Sequence, residues 1–454
     1  MRLLNGKQGL RRSQFAKELR GANLEKVLIV PIDVSKVLQK SMILNYFGEV
    51  LEPPFSFIVN QTGISLLIDK IEQMKMNYEA ERVFIGIEAT GHYYEDIVRI
   101  LTDKGYSVHI INAASTHEER KQHLTYTKTD DIDLYLIAEV LIGNKATNAK
   151  LTKGVYKQLQ QLTRARRSEI NKRTRLKLEI RTLHDQIWRE FQGISVLENG
   201  KVKTKKIFSD FWGKSNLYFL KHYPHASQVI ALGEEGLHCL SKENNLKLRS
   251  STIERLMLAA KECVSKSIDE LSSELFLLKQ KLRDYDWHTK TIQSYEQEIE
   301  RIFVQTDGLL LLTIPGIGLT TAAEIYCEMG DISYYTNAGQ LIKKAGTNPV
   351  IKQSGSGNGY FGKISKQGNT HLREAIYTAG RSLALHNKAL LPFYNRLKEA
   401  GKHCRKIFIA LGNKLIKIAF AMLKKQQPFQ TPHSEINYRA EIEKKLTHPL
   451  PKVA

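Results

Sequence analysis

Four carboxylates in the first third of the chain are spaced so that they could bind divalent metal together. They are Asp33, Glu88, Asp130 and Asp133. Carboxylate oxygens are hard ligands that suit Mg²⁺ or Mn²⁺. Two such ions about 4 Å apart can flank the attacking and the leaving oxygen of a phosphodiester. These residue types therefore predict phosphodiester chemistry, with all four acids as catalytic and metal-binding residues.

Asp33 and Glu88 each lie at the end of an apolar run that is typical of a buried strand. The first run begins at Val27 and the second at Arg82. A lone carboxylate in such a place is costly unless something binds it. The structural alternative is that each acid caps a following helix. The repetition of the pattern favours metal binding.

Asp130 and Asp133 fall in the first turn of a predicted helix whose N-cap is Thr129. Being three residues apart, they share one helix face. Asp131 is rotated off that face and is assigned to solvent or capping. The helix dipole also favours acids in a first turn, which is the ordinary explanation for this pair.

The elements that must position the acids follow an RNase H-like order, which is a strand meander followed by alternating helices and strands. Strands are predicted near 27–34, 42–51 and 55–60, then a helix at about 63–76, a strand ending at Glu88, a helix at 92–104 and a strand at 107–111. In this order the first and fourth strands end near each other. Asp33 is therefore expected beside Glu88.

Composition narrows the class of protein. The 454 residues are 42% hydrophobic, which is enough for two or three domains. A net charge of +21 indicates a polyanionic partner such as nucleic acid. Without a long apolar run or a signal-peptide core, the chain is expected to be cytoplasmic, with no membrane partner.

The cysteines of the chain (Cys239, Cys263, Cys327 and Cys404) form no CxxC pair and are expected to be reduced core thiols.

A cation-rich helix is predicted from Lys153 to Arg189, and its excess of positive charge favours nucleic-acid contact. The predicted contacts are Arg164, Arg166, Arg167, Lys172, Arg173, Arg175 and Lys177. Its apolar residues follow a heptad-like seam. The seam favours a coiled coil, either with a second long helix predicted from Ser251 to about Phe303 or with another subunit. A small helical insertion is expected between the two helices.

Two glycine-bearing segments follow. The segment containing Gly316 and Gly318 resembles a helix-hairpin-helix, whose glycines let backbone amides approach DNA phosphate. A tight turn between packed helices is the alternative. Further on, a Gly/Ser loop contains two serines that could attack phosphorus if cations stabilise the transition state, although such loops are more often linkers. These serines are Ser354 and Ser356, and the cations that follow are Lys363, Lys366 and Arg373.

Taken together, the four acids, Ile314–Gly318, the Gln353–Gly355 loop and Ile364–Arg373 resemble the DEDD insertion-sequence transposases, the IS110 family, which includes site-specific DNA invertases. The resemblance runs in order from about residue 27 to 425. It implies a RuvC-like (RNase H-like) domain whose metal-binding acids map onto the four acids. It also implies a C-terminal transposase domain whose nucleophilic serine maps best onto Ser354, with Ser356 as second choice.

The resemblance further implies an activity and its partners. Family members cut and rejoin DNA through a covalent serine intermediate, in a site built from two subunits of a homodimer or homotetramer. Several use a structured RNA from the element's own end as a guide, with which the cation-rich helix is compatible. Two alternatives remain. One is a RuvC-like nuclease or resolvase that uses water, and the other is a non-catalytic nucleic-acid-binding protein.

The expected fold is an α/β domain followed by mainly helical regions. The predicted segments are a basic arm (1–26), a RuvC-like catalytic domain (27–150), a coiled-coil region (151–303) with an insertion at about 191–250, a transposase domain with the serine loop (304–428) and a tail (429–454).

Overall fold

The structure is a computed structural model. It describes residue 15 and residues 18–89, 91–122, 129–143, 146–148, 152–352, 360–430 and 438–447. The chain forms two compact units, Met1–Thr152 and Lys153–Ala454. Each unit has its own hydrophobic core residues.

A mixed β-sheet forms the centre of the first unit. Its strands are β1 (Val27–Asp33), β2 (Leu38–Asn45), β3 (Val50–Ile58), β4 (Arg82–Glu88), β5 (Ser107–Ile111) and β6 (Thr147–Asn148). Their order is β3-β2-β1-β4-β5-β6. The first three strands are antiparallel neighbours, β4 and β5 run parallel to β1, and β6 is antiparallel to β5. The predicted meander and the pairing of the first strand with the fourth are confirmed.

The turn between β2 and β3 lies earlier than predicted. The strand predicted near 42–51 is wrong, because a turn at 46–49 divides it. Asn45 forms this turn, since its Oδ1 accepts hydrogen bonds from the backbone N–H groups of Phe47 and Glu49, at 3.0 and 2.9 Å. β3 therefore includes two prolines, which the sheet tolerates because β3 is an edge strand.

Helices lie on both faces of this sheet. They are α1 (Gln61–Asn77), α2 (Tyr94–Asp103), α3 (Ala113–Gln122) and α4 (Asp130–Ile142). Alternate β1 residues serve two cores, because successive strand side chains point to opposite faces. Val30 packs in a core with residues of α1 and α2, and Ile29 packs in a core with residues of α4. Helix α3 was not predicted, because its sequence from Ser115 onward is polar and has no apolar periodicity.

The second unit is mostly helical. In chain order its elements are α5 (Gly154–Ile187), β7 (Ile194–Glu198), β8 (Lys201–Lys205), α6 (Lys214–His222), α7 (Ala226–Glu243), α8 (Ser250–Lys261), α9 (Ser272–Phe303), α10 (Leu319–Met329), α11 (Ala338–Ala345), β9 (Pro349–Lys352), β10 (Tyr360–Ile364), α12 (Thr370–His386), α13 (Leu391–Glu399), α14 (Cys404–Lys425) and α15 (Tyr438–Glu443). None of the described helices is both long enough and apolar enough to cross a membrane.

The two long helices, α5 and α9, pack against each other in opposite directions. Arg166 near the start of α5 bonds Glu296 near the end of α9, whereas Glu179 near the end of α5 accepts from Lys281 near the start of α9. Arg173 lies between these contacts and donates to Thr289. Of the two partners that the heptad pattern allowed, the structure shows the helix of the same chain.

The single helix predicted from Ser251 to about Phe303 is wrong. It is divided into α8 and α9 by residues 262–271. In this break Glu270 Oε2 accepts hydrogen bonds from both the backbone N–H and the hydroxyl of Ser267, at 3.0 and 2.9 Å. Such local bonding competes with a continuous helix. Val264, in this break, is 89% exposed.

The insertion contains a β-hairpin as well as the expected helices. Strands β7 and β8 pair in antiparallel register, with Glu198 opposite Lys201. Asn199 and Gly200 connect them with φ angles of 50° and 70°. Two successive left-handed residues are typical of a tight hairpin turn. The prediction of a purely helical insertion is therefore wrong.

The cysteines differ in their surroundings. All four are free thiols, and Cys327 is buried as predicted. Burial raises the pKa of the Cys327 thiol. The prediction of a core position is wrong for Cys239 and Cys404, which are exposed, and Cys263 is half-buried.

Candidate active site

Asp33 and Glu88 lie side by side at the carboxyl ends of neighbouring parallel strands. The register pairs Ile32 of β1 with Ile87 of β4, so that the next residue of each strand is the acid. The strand residues before the acids are buried, whereas Asp33 and Glu88 themselves are half-buried. The apolar runs thus fix the backbone and leave both carboxylates at the edge of the sheet.

Two side chains of the unpredicted helix α3 bond two of the four acids, Glu88 and Asp133. Thr116 is buried and donates from Oγ1 to Glu88 Oε2 at 3.1 Å. Arg120 forms an ion pair with Asp133, whose side chain is 14% exposed. Sequence reasoning missed both residues, because a threonine and an arginine in a polar stretch carry no distinctive signal.

Helix α4 begins as predicted, with Thr129 Oγ1 accepting from the backbone N–H of Ile132. Asp130 and Asp131 both pair with Lys40 Nζ at 3.3 Å. Lys40 also stands opposite Asp33 in the β1–β2 register. Its hydrogen bonds to Asp131 and Asp130 raise the pKa of Lys40. Asp131 is thus a lysine partner as well as a surface acid, and the structure brings Asp130 close to the strand that carries Asp33.

The acids at this sheet edge have the chemistry of a divalent-metal site but not its closed geometry. Carboxylate oxygens suit Mg²⁺ or Mn²⁺. Within the described residues, however, no three His, Cys, Asp or Glu side chains converge closely enough to hold an ion. Lys40 and Arg120 are bonded to Asp130 and Asp133 instead. A metal ion bound here would compete with these two cations for the carboxylates.

The predicted hairpin around Gly316 and Gly318 precedes α10. A seven-residue 3₁₀ helix, Asp307–Thr313, stands where an α-helix was expected. Gly316 has a φ of 88°, and a Cβ there would lie 3.2 Å from the backbone oxygen of Ser382. Gly318, the N-cap of α10, is exposed and has no side chain with which to bond the first-turn amides.

Other side chains of the C-terminal unit bond the carbonyls of this hairpin. Ser382 Oγ donates to Gly316 O at 2.6 Å, and Asn387 Nδ2 donates to Pro315 O at 3.1 Å. Lys445 Nζ donates to Ile314 O. These bonds hold the hairpin as a rigid turn that presents the start of α10.

Ser354 and Ser356 lie outside the described residues. The strands on either side, β9 and β10, pair in antiparallel register with Lys352 opposite Tyr360. The loop therefore leaves and re-enters the fold at neighbouring positions.

The three cations after the serine loop have different surroundings. Lys363 and Lys366 are exposed. Arg373 instead donates from Nη1 to Ala345 O at 2.9 Å and to Lys366 O at 3.3 Å. Arg373 thus fixes the chain that follows the loop, whereas the two lysines are available to an anion.

Three of the predicted nucleic-acid contacts on α5 bond carboxylates of the same unit. Arg164 makes a bidentate salt bridge with Glu328, in which Nε and Nη2 donate to the two carboxylate oxygens at 2.7 and 2.9 Å. Arg167 bonds Glu324 at 2.7 Å, and Arg166 bonds Glu296 and Glu324. The side chains of Glu328 and Glu324 are only 2% and 8% exposed. Burial raises the pKa of Glu324, although Arg167 acts against this.

The other predicted contacts on α5 differ in exposure, because Lys172 and Arg175 are exposed whereas Arg173 and Lys177 are half-buried. Arg175 is 84% exposed and pairs with Glu179 on the same helix at 3.2 Å. Lys172 is 58% exposed and pairs with Glu169, again on the same helix. Lys177 lies over the Trp212 ring, 4.9 Å from its centroid. Arg173 donates to Thr289.

Comparison with known families gives two matches. A profile of the DEDD domain of IS110 elements, described as a transposase, matches residues 30–189, the segment that contains all four acids. A second profile, described as transposase IS116/IS110/IS902 family, matches residues 308–395, which include the hairpin and the serine loop. The chain belongs to the IS110 family of transposases. Transposases of the DEDD type typically use a divalent metal ion.

Individual relatives match shorter stretches. A pilin gene-inverting protein of Moraxella bovis is 32% identical over 121 residues, which are 26% of this chain and 38% of the relative. The transposase for insertion sequence element IS1111A of Coxiella burnetii is 27% identical over 165 residues, 35% of this chain and 42% of the relative. An IS116 protein of Streptomyces clavuligerus is 23% identical over 194 residues, 42% of this chain. The matches thus span less than half the length of these relatives.

Proposed function

We propose that the chain is a transposase or site-specific recombinase that cuts and rejoins DNA strands. The observation that carries the proposal is the β1–β4 register, which places Asp33 next to Glu88 at one edge of the sheet. Membership of a transposase family supports the reaction, and so does similarity to a protein named for gene inversion.

The first unit is assigned an RNase H-like, RuvC-like fold. Its strand order, with an antiparallel β3-β2-β1 meander followed by β4 and β5 parallel to β1, supports this assignment. In such a sheet, acids at the ends of the first and fourth strands share one edge with a helix packed nearby. Helix α4, which carries Asp130 and Asp133, packs in the same core as β1.

Asp33, Glu88, Asp130 and Asp133 are proposed to hold Mg²⁺ or Mn²⁺. A bound ion would neutralise charge that develops on the scissile phosphate. Lys40 and Arg120 are bonded to Asp130 and Asp133 in the structure, which offsets the repulsion among the acids. We expect both cations to move aside when DNA and metal enter.

Ser354 is proposed as the nucleophile, with Ser356 as second choice. Its Oγ attacks phosphorus, a P–O bond of the DNA strand breaks, and the serine proton passes to the leaving hydroxyl. The phosphoserine bond conserves the energy of the phosphodiester. A hydroxyl of another DNA end then attacks phosphorus and releases the serine, so no external energy source is required. Lys363 and Lys366, which follow this loop in the sequence and are exposed, are proposed to bind backbone phosphate.

Binding of nucleic acid is assigned to several surfaces of the second unit. The uncapped start of α10 at Gly318, held by the Gly316 turn, suits a DNA phosphate. The exposed α5 cations Lys172 and Arg175 suit a longer backbone contact, of DNA or of a guide RNA. A homodimer or homotetramer would let the acids of one subunit act with the serine of another.

The decisive experiment uses the purified chain with its co-purifying nucleic acid, Mg²⁺ and labelled DNA that spans the element end and its flank. Reactions are run on denaturing gels before and after protease. A labelled protein–DNA adduct that protease removes, and that Ser354→Ala abolishes while Ser356→Ala retains it, supports the proposal. An adduct lost only in Ser356→Ala would move the nucleophile to the second serine. Cleavage without any adduct would replace the serine mechanism by a water-using nuclease.

The acids are tested in the same assay. Asp33→Asn and Glu88→Gln should each abolish cleavage and leave DNA binding unchanged. Asp131→Asn is the matched control, because Asp131 pairs with the same Lys40 as Asp130 but is not among the proposed ligands. Activity that survives in Asp33→Asn and Glu88→Gln would remove the metal-site assignment. Binding without cleavage under every condition would leave a non-catalytic nucleic-acid-binding protein.

A further inference from the structure

A polar cleft of about 440 Å³ lies in the insertion, between the start of α6 and the start of α8. We call it the insertion cleft. Its charged lining residues are Asp210, Lys214, Lys247, Arg249 and Arg255, and its hydroxyl-bearing ones are Ser209, Ser215, Ser251 and Thr252. The cleft lies in residues 207–255, between the segments 30–189 and 308–395 that match the family profiles.

Both helices that border the insertion cleft begin without a side-chain cap. Gly213 is the N-cap of α6 and Arg249 is the N-cap of α8, and neither side chain bonds a first-turn amide. The N-terminus of a helix carries partial positive charge and N–H groups without intrahelical acceptors. Two such ends at one cleft favour an anion.

Two cations of the insertion cleft bond backbone oxygens. Lys214 Nζ bonds the backbone oxygens of Asn244 and Asn245 at 3.2 Å, and Arg255 bonds the backbone oxygens of Ser251 and Lys206. These contacts orient the two side chains and leave their charge in place. Among the described residues, none of the four lining cations forms an ion pair with an acid.

The lining contains two further polar groups of note. Asp210, the acid among the described lining residues, accepts a hydrogen bond from the backbone N–H of Trp212. Asn216 is 2% exposed and donates to Phe211 O, while its buried Oδ1 has no partner among the described residues. Because an amide oxygen only accepts hydrogen bonds and a phosphodiester has no donor, this atom does not contribute to anion binding in the cleft.

The β-hairpin formed by β7 and β8 extends the positively charged surface away from the insertion cleft. Arg255 Nη1 bonds Lys206 O, directly after β8, at 2.9 Å. Strand β8 is exposed throughout, and its lysines alternate at Lys201, Lys203 and Lys205. Lys203 pairs with Glu198 of β7. A five-residue strand spans about 16 Å, which is longer than a single phosphate needs.

We propose that the insertion cleft binds the phosphodiester backbone of a nucleic acid, with one phosphate between the starts of α6 and α8 and the backbone continuing along β8. Lys247 and Arg249 supply charge to this phosphate, and Ser251 and Thr252 lie in the first turn of α8 beside it. The proposal goes beyond strand cutting, because it concerns binding in a part of the chain that carries none of the acids or serines of the proposed reaction.

The test measures binding of the full chain to labelled single-stranded RNA, single-stranded DNA and duplex DNA of one sequence, by fluorescence anisotropy over a salt series. The double variant Lys247→Gln/Arg249→Gln should weaken binding of at least one of these probes about tenfold. It should also reduce the slope of log affinity against log salt by about two, because each phosphate contact contributes about one. The probe whose affinity falls most shows whether the insertion cleft binds RNA or DNA.

Two further variants control for charge and folding. Lys242→Gln/Lys261→Gln removes two exposed cations from α7 and α8 outside the cleft lining, and it should change affinity less than twofold. Ser251→Glu places an acid in the first turn of α8, which favours the helix, yet it should weaken binding as much as the double variant. The proposal would be overturned if the cleft and control double variants lost the same affinity, or if Ser251→Glu bound nucleic acid as tightly as the wild type. Because binding is measured without metal, failure here is distinct from failure of the cleavage mechanism.

Discussion

The cations of α5 and the cations of the insertion cleft differ in what neutralises them. Arg164 and Arg167 reach buried glutamates of α10, whereas Lys247 and Arg249 have no ion pair with a described acid. In the sequence, α5 has the denser run of positive charge, which predicts nucleic-acid contact. The structure shows that part of this charge bonds carboxylates of the same unit. The density of cations along a helix therefore indicates a partner only after its acidic neighbours are known.

The largest effect is expected where a carboxylate of the α5 network is removed. Glu328→Gln should lower the free energy of unfolding by about 3 kcal/mol, because it leaves Arg164 and the Asn369 side chain without their charged acceptor. Chemical denaturation of the full chain, followed by circular dichroism, measures this change.

The matched control for that change is Glu298→Gln. Glu298 pairs with Arg301 on the surface of α9, and such exposed pairs contribute about 0–1 kcal/mol. If Glu328→Gln lowers the free energy of unfolding no more than Glu298→Gln does, the ion pairs of α5 do not stabilise the fold. The contrast between the α5 cations and the cleft cations would then be wrong.

The next effect concerns the core of the insertion that carries the cleft. His184 is fully buried, and desolvation lowers its pKa to about 4 although its hydrogen bond to Pro224 O acts in the opposite direction. The unfolded chain binds a proton near pH 6.5. Between pH 6.5 and 4 the unfolded state therefore holds more protons than the folded state, so stability falls as the pH falls.

We expect this histidine to remove about 2–3 kcal/mol of stability between pH 7 and 4. The measurement is denaturation at a series of pH values for the wild type and His184→Gln. The variant should be less stable at pH 7 but should show a shallower dependence on pH. Parallel curves for the two proteins would mean that His184 is not the titrating group.

A smaller effect separates two cations of the same helix. Arg175→Gln should weaken nucleic-acid binding about threefold and reduce the salt slope by about one, because Arg175 is exposed and pairs only within α5. Arg166→Gln should leave affinity unchanged, since its guanidinium is 13% exposed and bonds Glu296 and Glu324. Anisotropy titrations compare the two proteins. Equal losses would show that binding opens the buried pairs.

Features that depend on a local sequence pattern were predictable, whereas contacts between different elements were not. Asp33 and Glu88 follow apolar runs, and local pattern plus strand order placed them together. Lys40 and Arg120 reach their acids from other elements, 91 residues before Asp131 and 13 residues before Asp133. No local pattern encodes such pairing. The sequence therefore predicts the acids of the sheet edge but not the cations that hold them.

In the second unit, too, the sequence pattern predicts some helix contacts and misses others. The heptad seam allowed packing of the two long helices on each other or on another subunit, and α5 and α9 pack together. It did not predict that α8 and α9 are separate, because the serines of residues 262–271 do not interrupt the apolar spacing. Nor did it reveal the glutamates of α10 that bond α5, since these lie about 160 residues further along the chain.

The smallest effect concerns Lys177, a cation of α5 that contacts the insertion. Lys177 lies 4.9 Å from the centroid of the Trp212 ring and 5.7 Å from that of Tyr285, and burial lowers the pKa of its ammonium. Lys177→Met keeps the apolar stem and removes the charge. Unfolding should become easier by about 0.5–1 kcal/mol, the usual contribution of a cation over an aromatic ring. Affinity for nucleic acid should not change, because the rings already hold the ammonium. A reduced salt slope in this variant would instead mean that Lys177 leaves Trp212 to bind phosphate, and Lys177 would then belong with the exposed cations.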